Sequence, residues 1–196
     1  MEGLDAFIQR LPAGISPVFL DDLKQQVNQI TLNKEEVIAC EHMRNNRVYY
    51  ILKGSCIRYI INPNGEERAV MFHTESFMPM VGNMYIASSG SIVSYSLRTN
   101  EKTALLSLNR SFGNEWIKKD AVFAEFIYQN AIEYLSALNQ FQNHLLGLTS
   151  EDLLKWLLSN HKQIFQRFRA KDIANFMGVT PVWLSNLKRK IIRNNS

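Results

Sequence analysis

With 196 residues, 46% of them hydrophobic, the chain is long enough for one domain of ordinary size and a smaller second one, with ample material for a packed core. No apolar stretch approaches the ~20 residues needed to cross a bilayer, and Met1-Glu-Gly-Leu-Asp5 lacks the basic start and apolar run of a signal peptide, so a cytoplasmic protein without membrane attachment is expected. The formal charge of +4 is unevenly spread: residues 161–196 hold eight Lys/Arg against the one acid Asp172, net +7, which leaves −3 for residues 1–160. Positive charge confined to one end favours a phosphate backbone as partner. The two cysteines, Cys40 and Cys56, cannot complete a four-thiolate zinc or iron–sulfur site and read as reduced, buried thiols; no cofactor is expected.

In chain order, Pro17 opens a helical segment in which Leu20, Leu23 and Val27 recur at helical spacing. From Gln29 to about Leu108, runs of Val, Ile, Tyr, Phe and Thr alternate with polar residues between Asn, Gly, Pro and Ser, the pattern of many short strands. Val48–Gly54 and Cys56–Ile61 form the clearest pair, and Asn62-Pro-Asn-Gly65 turns the chain into Glu66–Phe72. Strands resume at Ile92–Arg98 and Lys102–Leu108, with a loop or single helical turn expected between Met78 and Ser91. A hairpin-rich β-roll fits this order. From about Asn114 to Leu148 the period changes: Ile127, Ala131, Tyr134, Leu138, Phe141, Leu145 and Leu148 repeat at intervals of four and three. One continuous helix of roughly 50 Å is expected there, with that seam facing an identical helix, while Trp116 and Phe123 lie off the seam and pack on the chain's own strands. Ser150 is placed to cap the next helix, and Leu153, Leu154, Trp156, Leu157 and Leu158 begin a terminal unit.

Within that unit, residues 168–191 read as two short helices around a Gly turn, a helix-turn-helix. Ala174 is small enough for the helices to cross, Gly178 is free to take positive φ, and Leu184 pins the second helix. Thr180 can cap that helix and Pro181 suits its first position. Leu184, Leu187, Lys188 and Ile191 then share one face, and Val182, Ser185, Asn186 and Arg189 the face a DNA groove would meet. With the neighbouring cations, the expected contacts to double-stranded DNA are Arg169, Lys171, Thr180, Val182, Ser185, Asn186, Arg189, Lys190 and Arg193. Few residues follow Ile191, so a β-hairpin wing is not expected.

This order of parts resembles the bacterial CRP/FNR family of transcription regulators, which includes the cyclic-AMP receptor protein. The resemblance rests on Tyr50-Ile-Leu-Lys-Gly54 and Asn64-Gly-Glu-Glu67 in the strands, and on Asp172-Ile-Ala174, Met177-Gly-Val179 and Leu184-Ser185 in the terminal helices. It implies an α+β chain: a cyclic-nucleotide-binding-like jelly roll (a double-stranded β-helix) over 1–113, a dimerisation helix over 114–148 and a helix-turn-helix domain without a full wing over 149–196. The dimer interface would be Ile127, Ala131, Tyr134, Leu138, Phe141 and Leu145. The implied partners are a second copy, a near-palindromic operator whose half-sites lie one turn (~34 Å) apart, and RNA polymerase.

Two departures modify what the family implies. Cyclic-nucleotide binders carry Gly-Glu after a Phe and an Arg in the following loop; here Phe77 is followed by Met78-Pro-Met-Val81, with Pro79 and Met80 at the Gly-Glu positions, and neither Arg nor Lys occurs from Ala69 to Leu97. A buried phosphate would lack its counter-charge, so cyclic AMP and cyclic GMP are not expected as ligands; Phe77, Met78, Met80, Met84 and Tyr85 would line a pocket for an unknown apolar effector or none. Many relatives place Arg directly after the Ser of the second helix, where this chain has Asn186, a residue that pairs with adenine N6 and N7 rather than with guanine. The four histidines, His42, His73, His144 and His161, show no metal-site spacing. The rival readings are a cupin-type metal enzyme using His73 and Glu75 on one strand face, which leaves the basic terminus unexplained, and a dimeric interaction module whose basic end meets an acidic partner. No enzymatic activity is expected.

Overall fold

The computed structural model describes residues 2–40, 45–82 and 95–194, the side chains of residues 2 and 192–194 excepted. Among the described residues two helices, α1 (Glu2–Ile8) and α2 (Pro17–Gln26), precede eight strands: β1 (Asn28–Leu32), β2 (Val37–Ala39), β3 (Arg47–Lys53), β4 (Ser55–Ile61), β5 (Glu67–Thr74), β6 (Met80–Gly82), β7 (Ser96–Thr99) and β8 (Thr103–Asn109). They pair antiparallel in two four-stranded sheets, ordered β1-β8-β3-β6 and β2-β7-β4-β5. The alternation read from the sequence becomes a double-sided wall: Ile51, Cys56, Leu97 and Leu105 meet between the sheets, whereas Ile57, Ala69 and Phe72 face outward into the core shared with the terminal helices. Burial pushes the Cys56 thiol up to about 12, with the Glu101 carboxylate adding to the effect, so it stays protonated and inert.

The β3–β4 corner depends on Gly54. Its φ is +116°, and a Cβ there would sit 2.7 Å from the Thr103 backbone, so no other residue fits without displacing β8. Part of the expected loop after Met78 is strand: Met80–Gly82 pairs with β3 as β6.

The long helix is interrupted. Helix α3 (Arg110–Lys119) ends at Asp120, and α4 (Ala121–Gly147) starts anew, about 40 Å long at ~1.5 Å per residue. Asp120 has extended backbone, φ −129°, and its carboxylate caps α4 by accepting the Phe123 N–H (2.9 Å) while also taking the Ser16 N–H (2.9 Å). Those bonds hold its carboxyl below the ordinary range. The break lets α3 and the start of α4 fold over α2, where Phe19 touches Trp116 and Phe123 at centroid distances of 5.2 and 4.5 Å. Trp116 and Phe123 are thus intramolecular as expected, but their ring contacts are with α2 rather than the strands, which join the same cluster through Leu106 of β8.

Helices α5 (Ser150–Asn160), α6 (Lys162–Arg167), α7 (Ala170–Met177) and α8 (Pro181–Asn194) complete the chain. The cap of α5 is Thr149, not Ser150: its hydroxyl accepts the Asp152 N–H (3.2 Å) and donates to the Asp152 carboxylate (2.6 Å), while Ser150 is already the first helical residue. The outer face of β4 and β5, the C-terminal third of α4 and all four terminal helices share one continuous apolar core.

Candidate nucleic-acid interface

Each local constraint read from residues 168–191 has its structural counterpart. Gly178 ends α7 in the left-handed region (φ 71°), its N–H and that of Val179 closing back on Asn175 and Ala174. Ala174 is fully buried at the crossing. Thr180 caps α8 by accepting the Trp183 N–H (3.2 Å), and Pro181 takes the first position, where an N–H would have no partner. Leu184, Leu187 and Ile191 are buried, with Lys188 lying over the Phe165 ring at 5.3 Å. The opposite face, Val182, Ser185, Asn186, Arg189 and Lys190, is open, and Val182 is 70% exposed although apolar. Asn186 accepts a hydrogen bond from Arg189 (2.9 Å), and Lys190 reaches Glu151 (3.3 Å), contacts at an exposed surface that are readily exchanged for others. The Arg193 side chain lies outside the described residues.

The terminal helices do not stand free of the strands. Asn175 on α7 acts as an extra strand residue on the edge of β5: its Oδ1 accepts the Ala69 N–H (2.6 Å) and its Nδ2 donates to the Glu67 carbonyl (2.9 Å). Arg167 binds Glu75 (2.7 Å) and Glu101, and Asn100 donates to its carbonyl (2.8 Å). Burial pushes Glu75 up, but the Arg167 and Gly54 hydrogen bonds outweigh it and the net shift is downward. Phe72 packs between Phe168 and Phe176 at 4.7 and 5.3 Å. Arg169, expected at the DNA surface, is instead paired with Glu35 (2.6 Å) and Asp172 (2.7 Å), because the turn before α7 aims it at the β1–β2 connection. Lys171 remains exposed, on the rim of a groove of about 340 Å³ shared with Arg98, Asn175 and Pro181.

The seam read from the heptad spacing is largely used within the chain. Phe141 is 2% exposed, wedged among Phe77, Trp156 and His161 at 5.6, 5.0 and 4.7 Å, and therefore does not present itself to a second copy. Leu138 and Leu145 pack against the same core, Ile127 against the Phe19 cluster, and Tyr134 accepts a hydrogen bond from Arg58 (2.8 Å); Ala131 is half-buried. The neighbouring stripe is the open one, with Tyr128, Ile132, Leu135 and Leu146 at 57, 46, 53 and 86% exposure.

Around the expected effector pocket, Phe77, Met78 and Met80 line a cleft of about 270 Å³ facing Asn130, Glu133 and Tyr134 of α4; Met84 and Tyr85 lie outside the described residues. Although residues 69–97 hold no Arg or Lys, a cation from β4 lies beside this region. Arg58 on β4 projects between the sheets, its guanidinium 3.9 Å from the Tyr95 ring centre and its Nε buried without a hydrogen-bond partner. Among the described residues about 10 Å³ is open between Arg58, His73, Met80, Tyr95 and Tyr134, room for a single water. His73 donates from Nδ1 to the Met78 carbonyl (2.9 Å), and burial pushes it down to about 4, so it is neutral at pH 7. The cupin reading fails on geometry: His73 points inward from β5, whereas Glu75 lies beyond the strand end and is held by Arg167. Among the described residues no group of three His, Cys, Asp or Glu side chains is placed to hold a metal ion, and no helix is long and apolar enough to cross a membrane.

An antiparallel β-roll, a long helix laid across it and a terminal helix-turn-helix define an α+β cyclic-nucleotide-binding-like jelly roll with a C-terminal helical domain. Solved structures of CRP/FNR-type regulators have this fold. FixK2 from Bradyrhizobium japonicum superposes with a TM-score of 0.73 at 17% identity over 86% of both chains. The global regulator CLP of Xanthomonas campestris, described as responsive to c-di-GMP, gives 0.69 at 13% identity over 92% of this chain and 93% of its own. A protein from Eubacterium rectale assigned to the crp/fnr family of transcriptional regulators gives 0.66 at 12% identity over 91% and 84%. No protein-family model matches the chain, and no curated relative matches it in sequence.

Proposed function

We propose that this chain is a cytoplasmic, homodimeric, sequence-specific DNA-binding regulator of transcription, reading a near-palindromic operator through α8 and acting on RNA polymerase. The observation that carries this reading is α8 itself: capped by Thr180, anchored by Leu184, Leu187 and Ile191, and open along Ser185, Asn186 and Arg189. Ser185, Asn186 and Val182 are the base-edge readers; Lys171, Arg189 and Lys190 bind phosphate. Arg169 leaves the contact set, since its two carboxylate partners satisfy it. Cyclic AMP and cyclic GMP are not effectors in this reading, because Pro79 and Met80 stand where cyclic-nucleotide binders carry Gly-Glu, and the space among the described residues around Arg58 is about 10 Å³ where a ligand pocket has roughly 300 Å³ or more. An effector, where one acts, is an apolar molecule in the cleft beside Phe77, Met78 and Met80.

Selection of operators from a random duplex pool at fixed salt, with and without a metabolite extract, tests this reading. A two-fold symmetric consensus with adenine at the position read by Asn186 is expected; recovery of unenriched pool would overturn it. Calorimetry with cyclic AMP should show no heat, and a micromolar complex would overturn the exclusion.

A further inference from the structure

We propose that His161 is a proton-operated latch: while its imidazole is neutral it holds the terminal helices against α4 and the β-roll, and on acidification it lets them go. The latch stands apart from the DNA reading and would hold even if α8 met no duplex. His161 is the single residue between α5 and α6, with φ −135° and ψ 47°. Its N–H closes α5 on the Leu157 carbonyl (2.8 Å), and its own carbonyl accepts the Ile164 N–H of α6 (3.0 Å). The ring fills a box of aromatic side chains brought together from three elements: Phe77 of the β5–β6 turn at 5.1 Å, Phe141 of α4 at 4.7 Å and Trp156 of α5 at 4.9 Å between ring centres. Its Nδ1 is buried there with no hydrogen-bond partner.

An imidazolium has two N–H donors, and in this box the one on Nδ1 would find no acceptor. Phenylalanine would fill the same space without an unmet polar atom, so packing alone gives no reason for an imidazole. The surrounding elements offer the proton little help. The last three turns of α4 carry His144 as their one titratable group; it stacks on Trp156 at 4.2 Å and donates from Nδ1 to the Gln140 carbonyl (2.7 Å). On α5, Lys155 pairs with Glu151 and Asp152; Lys162 opens α6 as a further cation; Glu75 of the β5–β6 turn and Arg167 at the end of α6 are paired with each other. Burial accordingly lowers His161, and the charge of His144 adds to the effect. The docked form therefore keeps the ring neutral, whereas the released form takes up the proton near the ordinary value of about 6.5. Docking is at full strength above that pH and weakens as pH falls below it. The ties to the strands follow His161 directly in the chain, through Arg167, Phe168, Asn175 and Phe176, so expulsion of the ring loads all of them from one hinge.

Hydrogen exchange on the full chain between pH 7.5 and 5 tests this, with the protection factor of the Ala69 amide, which donates to Asn175 Oδ1 in the docked form, read against that of Leu105 inside the roll. The ratio should fall below pH ~6.5 by up to about tenfold per pH unit and level off where His161 itself titrates, as followed by NMR on the same protein. Glu75, held low by Arg167, does not titrate in this window. His161→Phe should keep the protection and lose its pH dependence. His144→Gln removes the neighbouring charge, so the fall should stop at a higher pH. A level ratio in the wild type, a fall that ends away from the His161 titration, or a His161→Phe protein that keeps the slope would each overturn the latch. Should His161→Phe fail to fold, the two wild-type measurements and His144→Gln decide it alone.

Discussion

Phe141→Ala separates the two stripes of α4. The ring is 2% exposed and touches Phe77, Trp156, His161 and Phe176, so truncation leaves a cavity where the β-roll, α4 and the terminal helices meet. Phe→Ala at such sites costs about 3–5 kcal/mol, transfer and cavity contributions together, and the position of Phe141 at the junction of three elements argues against collapse into the gap. At ~2–4 °C per kcal/mol for a chain of this size, the melting temperature should fall by roughly 8–16 °C for a loss of 4 kcal/mol. Urea titration gives the stability, and sedimentation velocity below the melting range gives the dimer constant on the same sample. The stability loss should appear with the dimer constant changed less than about threefold, a few tenths of a kcal/mol. An Ala variant within 1 kcal/mol of wild type whose dimer dissociates would refute the placement of Phe141 inside the protomer and restore the seam read from the heptad.

Three further outcomes follow from the structure. His73 sits at about 4 against an ordinary value near 6.5, so the unfolded chain takes up the proton first; stability is fullest above pH ~6.5 and is lost as pH falls toward 4, by about 2 kcal/mol between pH 7 and 5. Burial also lowers His161, with the charge of His144 adding to the effect; the contribution of His73 is therefore read as the difference in urea midpoints between wild type and His73→Phe, and equal slopes would refute it. Asn175→Ala removes two hydrogen bonds to an exposed strand edge where water replaces them, about 1 kcal/mol of docking; the Ala69 amide should exchange about fivefold faster, and unchanged protection would contradict the contact. Asn186→Ala should relax base preference at one operator position by ~1–3 kcal/mol, while Arg189→Ala weakens all duplexes alike, and the converse pattern in competition binding would exchange their roles.

The helix-turn-helix was legible because its signals are local: Gly178, Thr180-Pro181 and Ala174 each impose a constraint satisfied within a few residues. The strands were legible from their alternation, and their limits were set by pairing, as with Met80–Gly82, which becomes strand only because β3 lies alongside. Periodicity placed the apolar stripe of α4 but could not say which of two adjacent stripes the chain covers, since that depends on where Trp156, His161 and Phe77 arrive from elsewhere. Arg58 carries no sequence sign of its place beside Tyr95, because it enters from β4 across the roll and not from the segment after Phe77. The Asp120 break carried a readable sign, an acid followed three residues later by Phe123 at the start of an apolar run, and the Arg169–Asp172 spacing of three likewise marked an ion pair. The ties from Arg167 to Glu75 and Glu101 had no sequence signal, because partners 92 and 66 residues apart meet only through tertiary structure.

The central claim, that the exposed face of α8 meets duplex DNA as a symmetric pair, is tested most directly by the salt dependence of binding to a selected operator, followed by fluorescence anisotropy. Three phosphate-binding cations per protomer, Lys171, Arg189 and Lys190, make six per dimer and give a slope of log K against log salt of about −5, falling to about −2 in Arg189→Ala/Lys190→Ala. Absence of binding at 50 mM salt, or a slope that the double substitution leaves unchanged, would contradict the account.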